Sequence, residues 1–177
     1  VLSREVIVEI DSVKFGDRYI YDTTSIFDRS WTGTNHIKVR IDSANTNEIV
    51  FDAKDLDILD VSIDNTPLST TPQPVEDTLT IPLDDFNFGA GDTITVSIDY
   101  GFDSERMKDS QLGFIIYHKG DLRKFEKMDP DTVQERIAYT MSEPQDARLW
   151  MPCNDSPHDK VMADIHVTVP EGFSVAS

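Results

Sequence analysis

Hydrophobic and polar residues alternate along most of this chain with a period of two. "HIKVRID" (36–42) sends Ile37, Val39 and Ile41 to one side and Lys38 and Arg40 to the other. "DTITVSIDYGF" (92–102) sets Ile94, Val96, Ile98 and Tyr100 against Thr93, Thr95, Ser97 and Asp99. "ADIHVTVPEG" (163–172) sets Ile165, Val167 and Val169 against His166 and Thr168. Successive side chains of a strand point to opposite faces, so each segment predicts a strand with one buried and one wet face. Further strands are expected over 5–10, 18–22, 48–53, 56–63, 78–83, 112–119 and 136–141. Breakers rich in Pro, Gly, Asn and Asp separate them at 64–67, 70–74, 89–92, 127–132 and 143–146. No segment of helical length carries a period of 3.6, and the charged stretch 122–131 reads as a mobile loop between two strands. Many short strands with frequent turns predict a single all-β domain over 1–177, an antiparallel or mixed sandwich.

Composition changes this picture little, but charge narrows the partners. The chain has 177 residues, 38% hydrophobic and 28% charged, with a net charge of −17. A phosphate backbone would be repelled by such a surface, and no Lys/Arg stripe interrupts the acid, so nucleic acid is not an expected partner. Anionic membrane surfaces are disfavoured for the same reason, and no apolar run reaches the length of a membrane span. The single cysteine, Cys153, has no second cysteine to pair with inside the chain.

Candidate chemistry is sparse. The four histidines, His36, His118, His158 and His166, show no H-E-x-x-H or other paired spacing. Asp155, His158 and Asp159 form the one local group of metal-ligand types, and an exposed turn is the simpler account of them. "DAKDLDILD" (52–60) lacks the Gly turn and terminal Glu of a calcium loop and reads as the solvent face of strands. Cys153 lies between Pro152 and Asn154 with no base nearby in sequence. No G-x-S-x-G elbow or phosphate-binding glycine loop is present. The residues by themselves supply no complete catalytic apparatus.

The most specific stretch is "YTMSEPQDARLWMPCNDSPHDKVMADIHVTVPEGFSVAS" (139–177). Thr140, Glu143, Ala147, Arg148, Pro152, Cys153, Asp155, Pro157 and Lys160 fall in the order and spacing of a T-Q-x-E, A-R, P-C-x-D-x-P, Lys pattern. Upstream, "ITVSIDYGF" is followed by "LGFIIY", a strand–Tyr–Gly and Gly–aromatic rhythm. In these features the chain resembles the N-terminal β domain of the aminopeptidase N family of zinc metallopeptidases, which includes leukotriene hydrolase-like enzymes. The first 90 residues are similar only in strand rhythm.

That resemblance implies a saddle-shaped β-sandwich of mixed or antiparallel sheets that packs against its own catalytic domain. The catalytic domain, with its zinc ligands and general base, is expected after residue 177, so the domain alone would be inactive and zinc would belong to the parent enzyme. The implied substrate is a peptide N-terminus. Glu143 would bind its α-amine, since a carboxylate holds an ammonium group by charge-assisted hydrogen bonds. Met141 stands where the family usually has Gln. It would either line the pocket for the first substrate side chain, offering soft apolar contact, or pack inward at a strand end. Arg148, Pro152, Cys153, Asp155, Pro157 and Lys160 would form a structural motif, with Arg148 and Asp155 paired through bidentate geometry. Trp150 and Met151 would fill either the interdomain seam or the local core. A different class of function, a binding or scaffold module that kept the fold without peptidase activity, is the alternative expectation.

Overall fold

The alternating segments 36–42 and 92–102 fall largely in the two longest strands among the described residues, which lie side by side. The computed structural model describes residues 3–9, 31–102, 113–117, 137–156, 158, 161–169 and 174–176. Strand β1 spans Ser3–Glu9, β2 Trp31–Arg40, β3 Glu48–Asp52, β4 Asp57–Ile63 and β5 Thr66–Pro67. Strand β6 spans Thr78–Pro82, β7 Thr93–Phe102, β8 Gly113–Tyr117, β9 Ile137–Met141 and β10 Met162–Thr168. A six-stranded sheet runs in the order β10-β1-β2-β7-β4-β5, and β3-β6 and β8-β9 form separate pairs. All these pairings are antiparallel except β1 with β10, which is parallel. The all-β fold and the mixed sheets expected from the alternation are what the chain forms. The candidate strand at 18–22 and the loop at 122–131 lie outside the described residues.

Register explains the core. Ile37 lies opposite Val96, Val39 opposite Ile94 and Asn35 opposite Ile98, so one face of β2 and β7 is apolar except for the buried Asn35. On β3 and β6, Ile49 faces Ile81 and Phe51 faces Leu79. These residues are buried, except for the half-buried Val39, and both layers share one core that also takes in Tyr100, Trp150, Met151 and Cys153. Ile98 is fully buried at its centre. Ile98→Ala should therefore cost about 2–5 kcal/mol, read as a lower urea midpoint at unchanged slope. Leu59→Ala, at an exposed site, should leave the midpoint within about 0.5 kcal/mol of wild type.

Strand β4 does not keep a simple period. Ile58 pairs with Tyr100 but Asp60 pairs with Asp99, so Leu59 is an extra residue bulged from the ladder. The bulge moves the buried phase from Ile58 to Val61 and Ile63, which is why apolar residues three apart share a face. Gln73 seals it: its side-chain amide accepts from the Ile58 N–H at 3.2 Å and donates to the Ile58 carbonyl at 2.8 Å. The breaker at 64–67 is a tight hairpin into β5, with Asp64 and Asn65 both at positive φ (48° and 65°). That geometry matches the right-handed twist of the flanking strands, and Asp and Asn tolerate it.

Strand β10 departs from expectation. Alternation assigns Ile165, Val167 and Val169 to a buried face, yet Ile165 is 55% exposed and Val167 and Val169 are only half-buried. Its only neighbour in the sheet among the described residues is β1, so it lies at the sheet's edge, where period two no longer guarantees a covered face. Helix was expected nowhere, and the one helical feature among the described residues in 137–156 is a single 3-10 turn, Ala147–Leu149.

Candidate functional site

Residues 139–156 form one connected unit. Strand β9 pairs with β8, placing Met141 opposite Gly113 and Thr140 opposite Phe114. The chain then turns through 142–146 into the 3-10 turn, which lies against the start of β8. A Cβ on Gly113 would lie 2.7 Å from the Leu149 Cβ, and Gly113 has φ +82°. A side chain there is excluded by both space and backbone conformation. Gly113→Ala is expected to destabilise the fold by about 1–3 kcal/mol, detectable as a lower midpoint in thermal unfolding.

Backbone hydrogen bonds close the turn itself, among them Leu149 N–H to the Asp146 carbonyl at 3.2 Å. The Asp146 N–H donates to the Ser142 carbonyl at 3.2 Å, and the Trp150 and Met151 N–H groups both reach the Ala147 carbonyl at 3.0 Å. Trp150 is buried, and its indole N–H donates to the Ser142 hydroxyl at 2.9 Å. A buried indole that finds an acceptor avoids the cost of an unpaired donor.

Beyond the turn, the segment is fastened to the end of β3. Asp52 and Cys153 exchange backbone hydrogen bonds at 2.7 and 2.9 Å, and the Lys54 N–H donates to the Arg148 carbonyl at 2.9 Å. The Arg148 guanidinium divides itself between two carboxylates: Nε lies 2.9 Å from Asp155 Oδ2, and an Nη lies 3.1 Å from Asp52 Oδ1. The other Asp52 oxygen accepts the Asp155 N–H at 2.9 Å. Across the core, the buried Asn35 amide donates to the Pro152 carbonyl at 2.6 Å.

Arg148 and Asp155 thus meet through one guanidinium N–H rather than bidentately, because the second arm of the fork is taken by Asp52. The hydrogen bond to Asp155, aided by the charge of Asp52, holds the guanidinium above its ordinary pKa despite partial burial. A raised cation pKa stabilises the fold below its unfolded value and is lost only as pH climbs through the folded one. Arg148 therefore contributes fully across the neutral range. Lys54 is also raised, by its hydrogen bond to Asp77 at 2.9 Å.

The expected site residues divide into two groups. Arg148, Pro152, Cys153 and Asp155 come together in the network above, and the Cys153 side chain is buried. Glu143 and Met141 are exposed beside it, Glu143 on the turn and Met141 on β9, so Met141 does not pack inward. Trp150 and Met151 belong to the local core. Pro157 and Lys160 lie outside the described residues, as does Asp159. Asp155 is committed to Arg148, and among the described residues no group of three His, Cys, Asp or Glu side chains could hold a metal ion. Sequence reasoning missed Asp52 and Asn35. Both lie about 100 residues before the motif they hold, and each is an ordinary polar residue within or closing a strand.

Comparison with known proteins covers nearly the whole chain. The fold is similar to that of native yeast LTA4 hydrolase, with a TM-score of 0.64 and 16% identity over 96% of this chain and 23% of that one. It is also similar to the M1 zinc metallopeptidase of Deinococcus radiodurans (TM-score 0.61, 15% identity, 96% of this chain and 32% of that one). A mutant of that metallopeptidase bound to a Tyr-Ser-Ala substrate matches similarly, at a TM-score of 0.62. The chain therefore spans about a quarter to a third of the length of these proteins. No curated protein sequence is a significant match. At such identities the structural likeness speaks for the fold, whereas the model of the Peptidase M1 N-terminal domain matches residues 17–177 by sequence. On that match, this chain belongs to the Peptidase M1 N-terminal domain family.

Proposed function

We propose that residues 1–177 are one domain of a zinc aminopeptidase, packing on that enzyme's catalytic domain and supplying Glu143 as the ligand of the substrate α-amine. Family membership across 17–177 is the observation that carries this reading. The local geometry supports it: Glu143 is exposed, and the turn that bears it is braced by a buried tryptophan and an arginine–carboxylate network. An exposed carboxylate on a braced turn can meet an incoming ammonium group at little ordering cost. A strongly acidic domain also raises the local concentration of cationic peptide ends.

The residues described in this chain do not fit a zinc site, so the metal would be held by the catalytic domain and would supply Lewis-acid activation of the peptide bond there. This domain's part is to bind and orient the amine, and by itself it should not hydrolyse peptides. Met141 would present an apolar surface beside the bound amine. The Glu143→Gln exchange in the full-length protein tests the assignment through KM for aminoacyl substrates. The scaffold reading draws on Met141, whose thioether replaces an amide donor; it predicts a full-length protein that hydrolyses no peptide at all.

A further inference from the structure

We infer that Ser142 and Trp150 are the positioning residues of Glu143: the hydrogen bond between them fixes the backbone one residue before the carboxylate. The inference rests on the reading of Glu143 given above. Ser142 ends β9's run into the turn and is half-buried, whereas Glu143 next to it is exposed. Two groups hold Ser142. Its carbonyl accepts the Asp146 N–H at 3.2 Å, and its hydroxyl accepts the Trp150 indole N–H at 2.9 Å. The second bond ties the turn to the core, because Trp150 is 5% exposed and packs in the main hydrophobic cluster.

The chemistry makes the bond hard to replace. An indole nitrogen only donates, and a buried donor without an acceptor is costly. Removing the Ser142 oxygen leaves the indole N–H to find water or another acceptor, and the turn is the part free to move. The position of Trp150 is set in turn by the 3-10 turn, whose Arg148 is held by Asp52 and Asp155. The hydrophobic core is thereby connected to the turn that bears the exposed carboxylate through the Ser142–Trp150 hydrogen bond.

The experiment is steady-state kinetics on the full-length protein with an aminoacyl substrate. Ser142→Ala and Trp150→Phe should each raise KM about threefold to tenfold, the worth of one neutral hydrogen bond, with kcat within about twofold. The double variant should be no worse than the more impaired single one, since both remove the same bond. Ser142→Thr, which keeps the hydroxyl, should restore wild-type KM. In a Glu143→Gln background, Ser142→Ala should add nothing to KM. If Glu143→Gln raises KM while Ser142→Ala and Trp150→Phe leave it unchanged, the positioning role is overturned and the role of Glu143 stands. If Glu143→Gln itself leaves KM unchanged, both fall. A loss of thermal stability and kcat with KM unmoved would assign the bond to folding alone and overturn the inference.

Discussion

Arg148→Ala is expected to cost about 3 kcal/mol of stability, the lower end of the range for breaking a buried ion pair. The lower end applies because the Arg148 side chain keeps about a quarter of its exposure, while Asp155 is nearly enclosed, its side chain at 8%. Without the guanidinium, two carboxylates face each other across the motif, and the Asp155 Oδ2 loses its cationic donor. For a domain of this size the change should lower Tm by roughly 6–12 °C. Lysine should not rescue it. A single ammonium group cannot span both Asp52 and Asp155 as the planar fork does. Because the pair is partly shielded from solvent, most of the loss should persist in high salt, unlike that of a surface pair. Thermal unfolding of the three proteins in low and high salt measures all of this.

Glu143→Gln should act on substrate rather than on fold. The side chain is exposed, so the melting temperature should stay within about 2 °C of wild type. Exchanging carboxylate for amide keeps the shape but replaces a charged acceptor with a neutral one. A charge-assisted hydrogen bond is worth about 1.5–3 kcal/mol, which converts to a loss of roughly tenfold to a hundredfold in affinity for the amine. If the amine is held equally in ground and transition states, KM carries the loss. Any fall in kcat would report how far the contact also orients the peptide for attack.

Period two identified most of the described strands, because a sheet with one covered face prints its burial directly on the sequence. Strand β7 shows this best: every second residue from Ile94 to Tyr100 is in the core. The rule failed on β10, where an edge position leaves Ile165 exposed. It was blurred on β4, where the bulge at Leu59 shifts the phase. The motif around Arg148 was legible as a pattern, and the pairing of Arg148 with Asp155 was expected within that motif. Asp52 could not. It reads as one more acidic residue in an acidic stretch, and only folding brings it across 100 residues to Arg148 and Asp155. The same distance hid the Asn35 bond to Pro152. The division of the guanidinium between two carboxylates follows from Asp52 and was equally beyond reach of the local sequence.

On the proposed function, this domain serves an enzyme that selects a free peptide amine through Glu143. The most direct test is to offer the full-length protein one short peptide in two forms, with its N-terminus free or acetylated, and to compare wild type with Glu143→Gln. Wild type should release the first residue from the free form and spare the acetylated one. Glu143→Gln should raise KM for the free form at least about tenfold. Equal cleavage of both forms, or a variant as selective as wild type, would contradict the proposed function.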